Sequence, residues 1–209
     1  MHSQNPVELL KAMQRSNVIC EIPLQIDRLK AEQADDVADL VVRNLGVFED
    51  VGSVLASAFR RTQNILNTYA QDGAVYFVLT DARHPQQILG GAGIGPLHGL
   101  PASEGIGEIR ELVIDDRYRG KGLGKHLLAH CLEQAHLMGY SRIYLETTPQ
   151  MVHARHLFEN FGFRPIRHAP ASQKKSKDVQ EDFACYYLKD EALEARAPKR
   201  SSQSKDRSV

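Results

Sequence analysis

Glu108-Ile-Arg-Glu-Leu-Val-Ile-Asp-Asp-Arg-Tyr-Arg-Gly-Lys-Gly-Leu-Gly-Lys125 is the stretch on which the reading of this chain depends. Residues 106–115 alternate in polarity, which predicts a strand with Glu108, Arg110, Leu112 and Ile114 on one side and Glu111 on the other. Three glycines spaced by two then open an amphipathic pattern that runs to Met138 and ends at Gly139, a helix. Glycines let a backbone approach a bulky anion and take positive φ. The free amides of the first helical turn point at that anion, and the helix dipole adds about 0.3–1 kcal/mol for negative charge. Arg119, Lys121 and Lys125 bring cations to the same place. The pattern is that of a phosphate cradle.

The two commonest cradles do not fit. A Walker A loop would need glycine at Arg119 and a magnesium-binding hydroxyl at His126, and both fail. A dinucleotide fingerprint needs GxGxxG, whereas Gly120-Lys-Gly122-Leu-Gly124 is GxGxG. Gly91-Ala-Gly93-Ile-Gly95 is followed by no helical pattern, and predicts a strand that bends or meets another backbone closely.

Outward from the cradle the periodicities alternate. Strands are expected over residues 22–29 (an edge strand, from Pro23), 74–80 (buried on both faces), 88–94 and 142–146. Helices are expected over 31–45, 53–69 (interrupted) and 152–160. A last hairpin pairs 163–166 with 182–188 across a lysine-bearing loop, 171–181. These alternations predict a mixed-sheet α/β domain. The expected organisation is an N-terminal extension over 1–19, one domain over 20–190 and a polar, disordered tail over 191–209.

Composition sets the class. Among 209 residues, 26 Lys plus Arg balance 26 Asp plus Glu, which argues against nucleic acid as a partner. Hydrophobic residues at 42% and charged residues at 25% suit a globular core. No apolar run is long enough to span a membrane. The first twenty residues lack a signal-peptide pattern, and Cys20, Cys131 and Cys185 form no CxxC pair, which together predict a cytoplasmic protein. His126, His130 and Glu133 share a helix face that reads as solvated rather than metal-binding, so no metal is expected. Cys131 falls in the apolar stripe and reads as packing.

Arg119-Gly-Lys-Gly122-Leu-Gly124 resembles the acyl-CoA-binding motif [RQ]xxGx[GA] of the GNAT superfamily of N-acetyltransferases. Ala154-Arg-His-Leu157-Phe158-Glu-Asn-Phe-Gly162-Phe163, about thirty residues on, is similar to the family's AxxLYxxxGF segment. The resemblance implies a largely antiparallel mixed sheet flanked by helices, with central strands that splay to admit a pantetheine arm. It implies acetyl-CoA as co-substrate, held by backbone of Leu112, Val113 and Ile114. It further implies that the diphosphate rests on Arg119, Gly120, Lys121, Gly122, Leu123, Gly124 and Lys125, with Phe158 alongside. A strand amide near Leu112 or Val113 would polarise the acetyl carbonyl, and acetyl would pass directly to an amine.

Two positions depart from the family pattern: Met151 stands where an asparagine often contacts the cofactor, and Phe158 where a tyrosine often protonates the leaving thiolate. A thiol of pKa about 8.5 leaves tolerably unaided, whereas freeing an alkylamine of pKa about 10.4 costs about 4–5 kcal/mol at pH 7. The base therefore matters more than the acid. Glu108 is the expected base, directly or through water, with Glu111 the second choice, and Tyr144 and Tyr187 are the alternative proton donors. The bland alternative is a structural Glu108 paired with Arg110 or Arg142. The acceptor, a small-molecule or peptide amine with the former preferred, is expected against residues 31–69 and 96–105, in a monomer or homodimer. A non-catalytic acyl-CoA sensor is the alternative function.

Overall fold

All seven residues of Val75–Asp81 are buried, and they divide between two cores. Val75, Phe77 and Leu79 face one, while Tyr76 and Val78 face the other. A strand buried on both faces must carry layers on both sides, and the rest of the chain supplies them. The computed structural model describes residues 22–45, 52–167 and 185–190. The extension expected over 1–19, the loop expected over 171–181 and the tail expected from 191 lie outside them.

The strands are β1 (Leu24–Arg28), β2 (Val75–Asp81), β3 (His84–Pro96), β4 (Ile106–Ile114), β5 (Arg142–Thr147), β6 (Arg164–Ile166) and β7 (Cys185–Asp190). They form one sheet in the order β1-β2-β3-β4-β5-β7-β6. Every neighbouring pair is antiparallel except β4 and β5, which are parallel. β1 is an edge strand, as Pro23 predicts. The helices are α1 (Ala34–Leu45), α2 (Gly52–Thr62), α3 (Ile65–Tyr69), α4 (Leu123–Leu137) and α5 (Val152–Asn160). Val37, Leu40 and Val41 of α1 and Ile65 and Tyr69 of α3 cover one face of the sheet. Leu123, Leu127, Leu128, Cys131, Leu132 and Ala135 of α4 cover the other, joined by Phe158 of α5. The mixed, largely antiparallel α/β fold is the one expected.

The interrupted helix expected over 53–69 is two helices, parted at Asn64, whose φ of −141° and ψ of 51° leave the helical region. Other local readings change. His130 is not on a solvated face. It packs edge-on against Phe77, with ring centroids 4.6 Å apart, and its Nε2 is buried without a partner among the described residues. Burial pushes the pKa of both His126 and His130 down, and pushes the Cys131 thiol up.

The largest change is in β4. Its partner β3 pairs Gly93 with Arg110 and then Gly91 with Val113. Glu111 and Leu112 therefore face Ala92 alone, which is a β-bulge. Glu111 has φ 43°, a left-handed conformation that non-glycine residues rarely adopt. One extra residue reverses the alternation. Ile109 before the bulge and Leu112 and Ile114 after it pack on the α4 side, whereas Val113 joins Tyr69 and Tyr76 on the α1–α3 side. The expectation that Glu108, Arg110, Leu112 and Ile114 share a face, with Glu111 opposite, is thus corrected. Glu108, Arg110 and Glu111 share one.

Candidate active site

β4 and β5 pair only from Ile106↔Arg142 to Ile109↔Leu145. Beyond that point residues 110–114 of β4 pair with β3 alone, while Glu146 and Thr147 of β5 pair with β7. The two strands part, leaving the splay that the resemblance implies.

At the open end of β4 the chain tightens into a short 3-10 turn, Asp116–Tyr118. Asp115 caps it by accepting from the Arg117 amide at 3.0 Å and from Arg117 Nε and Nη2 at 2.9 and 2.7 Å. These hydrogen bonds hold the buried Asp115 carboxyl down at about 2. The Arg119 amide is spent on Asp116 O. Its guanidinium bonds Ile114 O at 3.3 Å and the side chain of Asn44, tying the loop to the end of α1. Arg119 thus braces the cradle rather than offering a free amide to it.

From Gly120 the backbone opens. Gly120 (φ 76°) and Gly122 (φ 79°) are left-handed, and a Cβ on either would meet no atom within 4 Å. Among the described residues, no backbone carbonyl accepts from the amides of Gly120, Lys121, Gly122, Leu123 or Gly124. Gly122 is the N-cap of α4, so these donors surround the positive end of a fifteen-residue helix. Lys121 lies 5.2 Å over the Tyr118 ring, and Lys125 is exposed. Gly124 lies against α5: a Cβ there would stand 3.4 Å from Leu157, about van der Waals contact. Across the gap, Thr148 just after β5 is fully buried, and its Oγ1 has no partner among the described residues. An open ring of donors and an orphaned hydroxyl fit a diphosphate followed by an amide-bearing arm. Leu112 and Ile114 are half-buried and Val113 is buried. Phe158 is buried, 6.0 Å from Phe163. Met151 accepts from the Thr147 hydroxyl at 3.4 Å.

On the α1–α3 face, ionisable groups from four elements, α2, α3, β4 and β5, converge. The Glu111 carboxylate takes a hydrogen bond from Tyr69 and an ion pair from Arg61 Nε at 2.5 Å. Desolvation pushes the Glu111 carboxyl up, against the pull of Arg61 and Tyr69. Glu108 accepts from Arg110 Nη2 at 2.7 Å and Nε at 2.8 Å, and from the His98 amide at 3.4 Å. The structural pairing of Glu108 with Arg110 is therefore present. Glu146 differs: among the described residues no hydrogen bond or ion pair holds it. Burial, and then repulsion from Glu108, raise its pKa to about 7, with Arg61 opposing. Of the three carboxyls, Glu146 alone combines a pKa near neutrality with no hydrogen-bond or ion-pair partner among the described residues.

The sequence reading brought the cradle residues together but missed Glu146, Arg61 and Tyr69. Period-two alternation puts Glu146 and Tyr144 on one face of β5, but only the parallel register, with Glu108 opposite Tyr144, aligns that face with Glu108.

Residues 46–163 match the model of the Acetyltransferase (GNAT) family. The chain is 35% identical over 124 residues to the uncharacterized N-acetyltransferase YjgM of Escherichia coli, an alignment covering 59% of this chain and 70% of that one. It is 38% identical over 77 residues to the N-acetylaspartate synthetase of Xenopus tropicalis, covering 34% of this chain and 28% of the synthetase. It is 44% identical over 52 residues to the spermine/spermidine N(1)-acetyltransferase of Bacillus subtilis, covering 24% and 34%. The fold resembles that of a GNAT-family acetyltransferase from Staphylococcus aureus, with a TM-score of 0.65 at 18% identity over 80% of this chain and 99% of that one. With more than half of its length matched by the family model, and its sheet parted beside a ring of open amides, the chain belongs to the GNAT family of acetyltransferases.

Proposed function

We propose that this N-acetyltransferase passes acetyl from acetyl-CoA to the primary amine of a small molecule by direct attack, with Glu146 as the base. The observation that carries the reading is the Glu146 carboxyl, without a hydrogen-bond or ion-pair partner among the described residues and poised at about 7 on the face where β4 and β5 part. Acetyl-CoA, when bound, supplies an activated acyl carbon; the chain supplies the rest. The amides from Gly120 to Gly124 hold the diphosphate, with Lys121 and Lys125 at the rim. Leu112, Val113 and Ile114 offer backbone groups to the arm. The Leu112 amide donates to the thioester carbonyl, an oxyanion-hole contact of a kind worth about 3–4 kcal/mol.

Glu146, directly or through one water, takes the proton that an ammonium must lose before its nitrogen can attack. A base near 7 is matched to that task, whereas Glu108 is committed to Arg110. As the new C–N bond forms the C–S bond breaks; the thiolate, of pKa about 8.5, needs no dedicated acid to leave and takes up the second proton shed by the acylated nitrogen, giving the amide and the CoA thiol. That suits an α5 bearing Phe158 in place of a phenol.

The names of two relatives, one for N-acetylaspartate and one for spermine and spermidine, favour a small-molecule amine here. Acetyl-CoA turnover with a panel of such amines, followed for Glu146→Gln and Glu108→Gln, tests the assignment. Glu146→Gln is expected to lower kcat about 100-fold or more with CoA affinity intact, and Glu108→Gln to act far more weakly. Wild-type turnover by Glu146→Gln would remove Glu146 as the base.

A further inference from the structure

The glycines of β3 face two tyrosines. A Cβ on Gly91 would stand 2.6 Å from Tyr76 Cε1 and 2.7 Å from its Oη, and a Cβ on Gly93 would overlap the Tyr69 hydroxyl. Both rings, 5.1 Å apart and packed edge to face, therefore lie across β3. What they reach on the far side is a single residue of β4. The Tyr69 hydroxyl donates to the Glu111 carboxylate, and the Tyr76 hydroxyl donates to the Glu111 carbonyl at 3.3 Å. Glu111 is the residue with φ 43° in the bulge, the one non-glycine residue with positive φ among those described. A strained conformation persists only where the surroundings over-determine it. Here Arg61, Tyr69 and Tyr76 hold it from α2, α3 and β2.

The consequence for chemistry comes from the peptide plane. The Glu111 carbonyl and the Leu112 amide belong to one trans peptide, so they point in opposite directions. Fixing the carbonyl on Tyr76 aims the Leu112 N–H away from Tyr76. We propose that Tyr69 and Tyr76 are positioning residues, which reach over Gly93 and Gly91 to clamp Glu111 and so aim the Leu112 amide at the thioester carbonyl. This rests on the reading above in which the Leu112 amide polarises that carbonyl. The GAG run of β3 is then the slot that lets two aromatic rings cross a strand to the strained peptide beyond it.

The test is the isotope-edited infrared difference spectrum of acetyl-CoA labelled at its acetyl carbonyl, bound to the full chain, with affinity measured by calorimetry. Bound to the wild type, the carbonyl stretch is expected to shift to lower frequency than in solution, as polarisation requires. Tyr76→Phe and Tyr69→Phe keep both rings and remove one hydroxyl each. They are expected to bind acetyl-CoA with unchanged affinity and to lose most of the downshift. Gly91→Ala, which displaces the Tyr76 ring, is expected to do the same. If Tyr69→Phe fails to fold, Tyr76→Phe decides alone, because Tyr76 bonds the peptide itself. A full downshift in folded Tyr76→Phe would overturn the positioning role and leave the Leu112 contact standing. No downshift in the wild type would instead overturn that contact, and the positioning role with it.

Discussion

Gly93 lies beneath the Tyr69 ring, leaving no room for even a methyl group between β3 and the hydroxyl that bonds Glu111. Gly93→Ala must therefore displace the ring or bend the strand. Overpacking of this kind costs about 1–3 kcal/mol, and the lost bond to a buried carboxylate adds to it. On a Tyr69→Ala background the same change should cost far less, because the colliding atoms are gone. Urea unfolding of the two singles and the double measures the coupling; additive penalties would mean that the ring is not what excludes the methyl.

As the proposed base, Glu146 is expected to set the acid limb of the rate profile. With a pKa raised to about 7, the carboxyl is a base above that value and protonated below it. The logarithm of kcat/KM should fall with unit slope below about pH 7, and Glu146→Gln should flatten the limb. A limb near pH 4.5 would mean that the carboxyl is solvated when the enzyme works.

The same shift predicts stability in the opposite sense. A carboxyl whose folded pKa lies above its unfolded value costs stability once ionised, and the cost grows from about pH 4.5 to pH 7. Part of the side chain meets water, which screens its charge. Glu146→Gln should gain about 1–2 kcal/mol at pH 8 and nothing at pH 4, read as Tm at the two values.

Asp115 runs the other way. Its carboxyl is held at about 2 by Arg117, below the ordinary 3.8, so its contribution is present above about pH 4 and is lost as pH falls towards 2. Because the Arg117 side chain is 65% exposed, water screens the pair and about 1 kcal/mol is a fair size. Asp115→Asn should destabilise the chain by that amount at pH 7 and leave acid unfolding at pH 2 unchanged.

Gly122 combines φ 79° with open space in front of its Cα. Gly122→Ala puts a side chain into the left-handed region, at about 1 kcal/mol, and a methyl at the mouth of the cradle. Calorimetry should show CoA binding weakened about tenfold or more, with Tm only slightly reduced.

The glycine run with its open amides was legible because its signals are local: glycines, cations and a helix start lie within one short stretch. β2 was legible for the same reason, its apolar run standing unbroken between turns. The acid cluster was not. Glu108, Glu111 and Glu146 are brought onto one face by a bulge and by the β4–β5 register, and both are pairings between strands that no single strand's alternation records. One inserted residue inverted every face assignment after Arg110. The glycines of β3 were read as a bend or a backbone contact. Gly90 does meet the Val113 carbonyl, but Gly91 and Gly93 make room for rings distant in sequence.

The seam joining the two halves of the sheet is four residue pairs long, Ile106↔Arg142 to Ile109↔Leu145. Whatever lies along the bare edge of β4 past that point stitches β1–β4 to β5–β7 as an eighth strand would. On the proposed placement of the coenzyme there, it would be a structural rivet as well as a reagent, and amide hydrogen exchange in β5 should slow when CoA is added, before any acyl group is transferred.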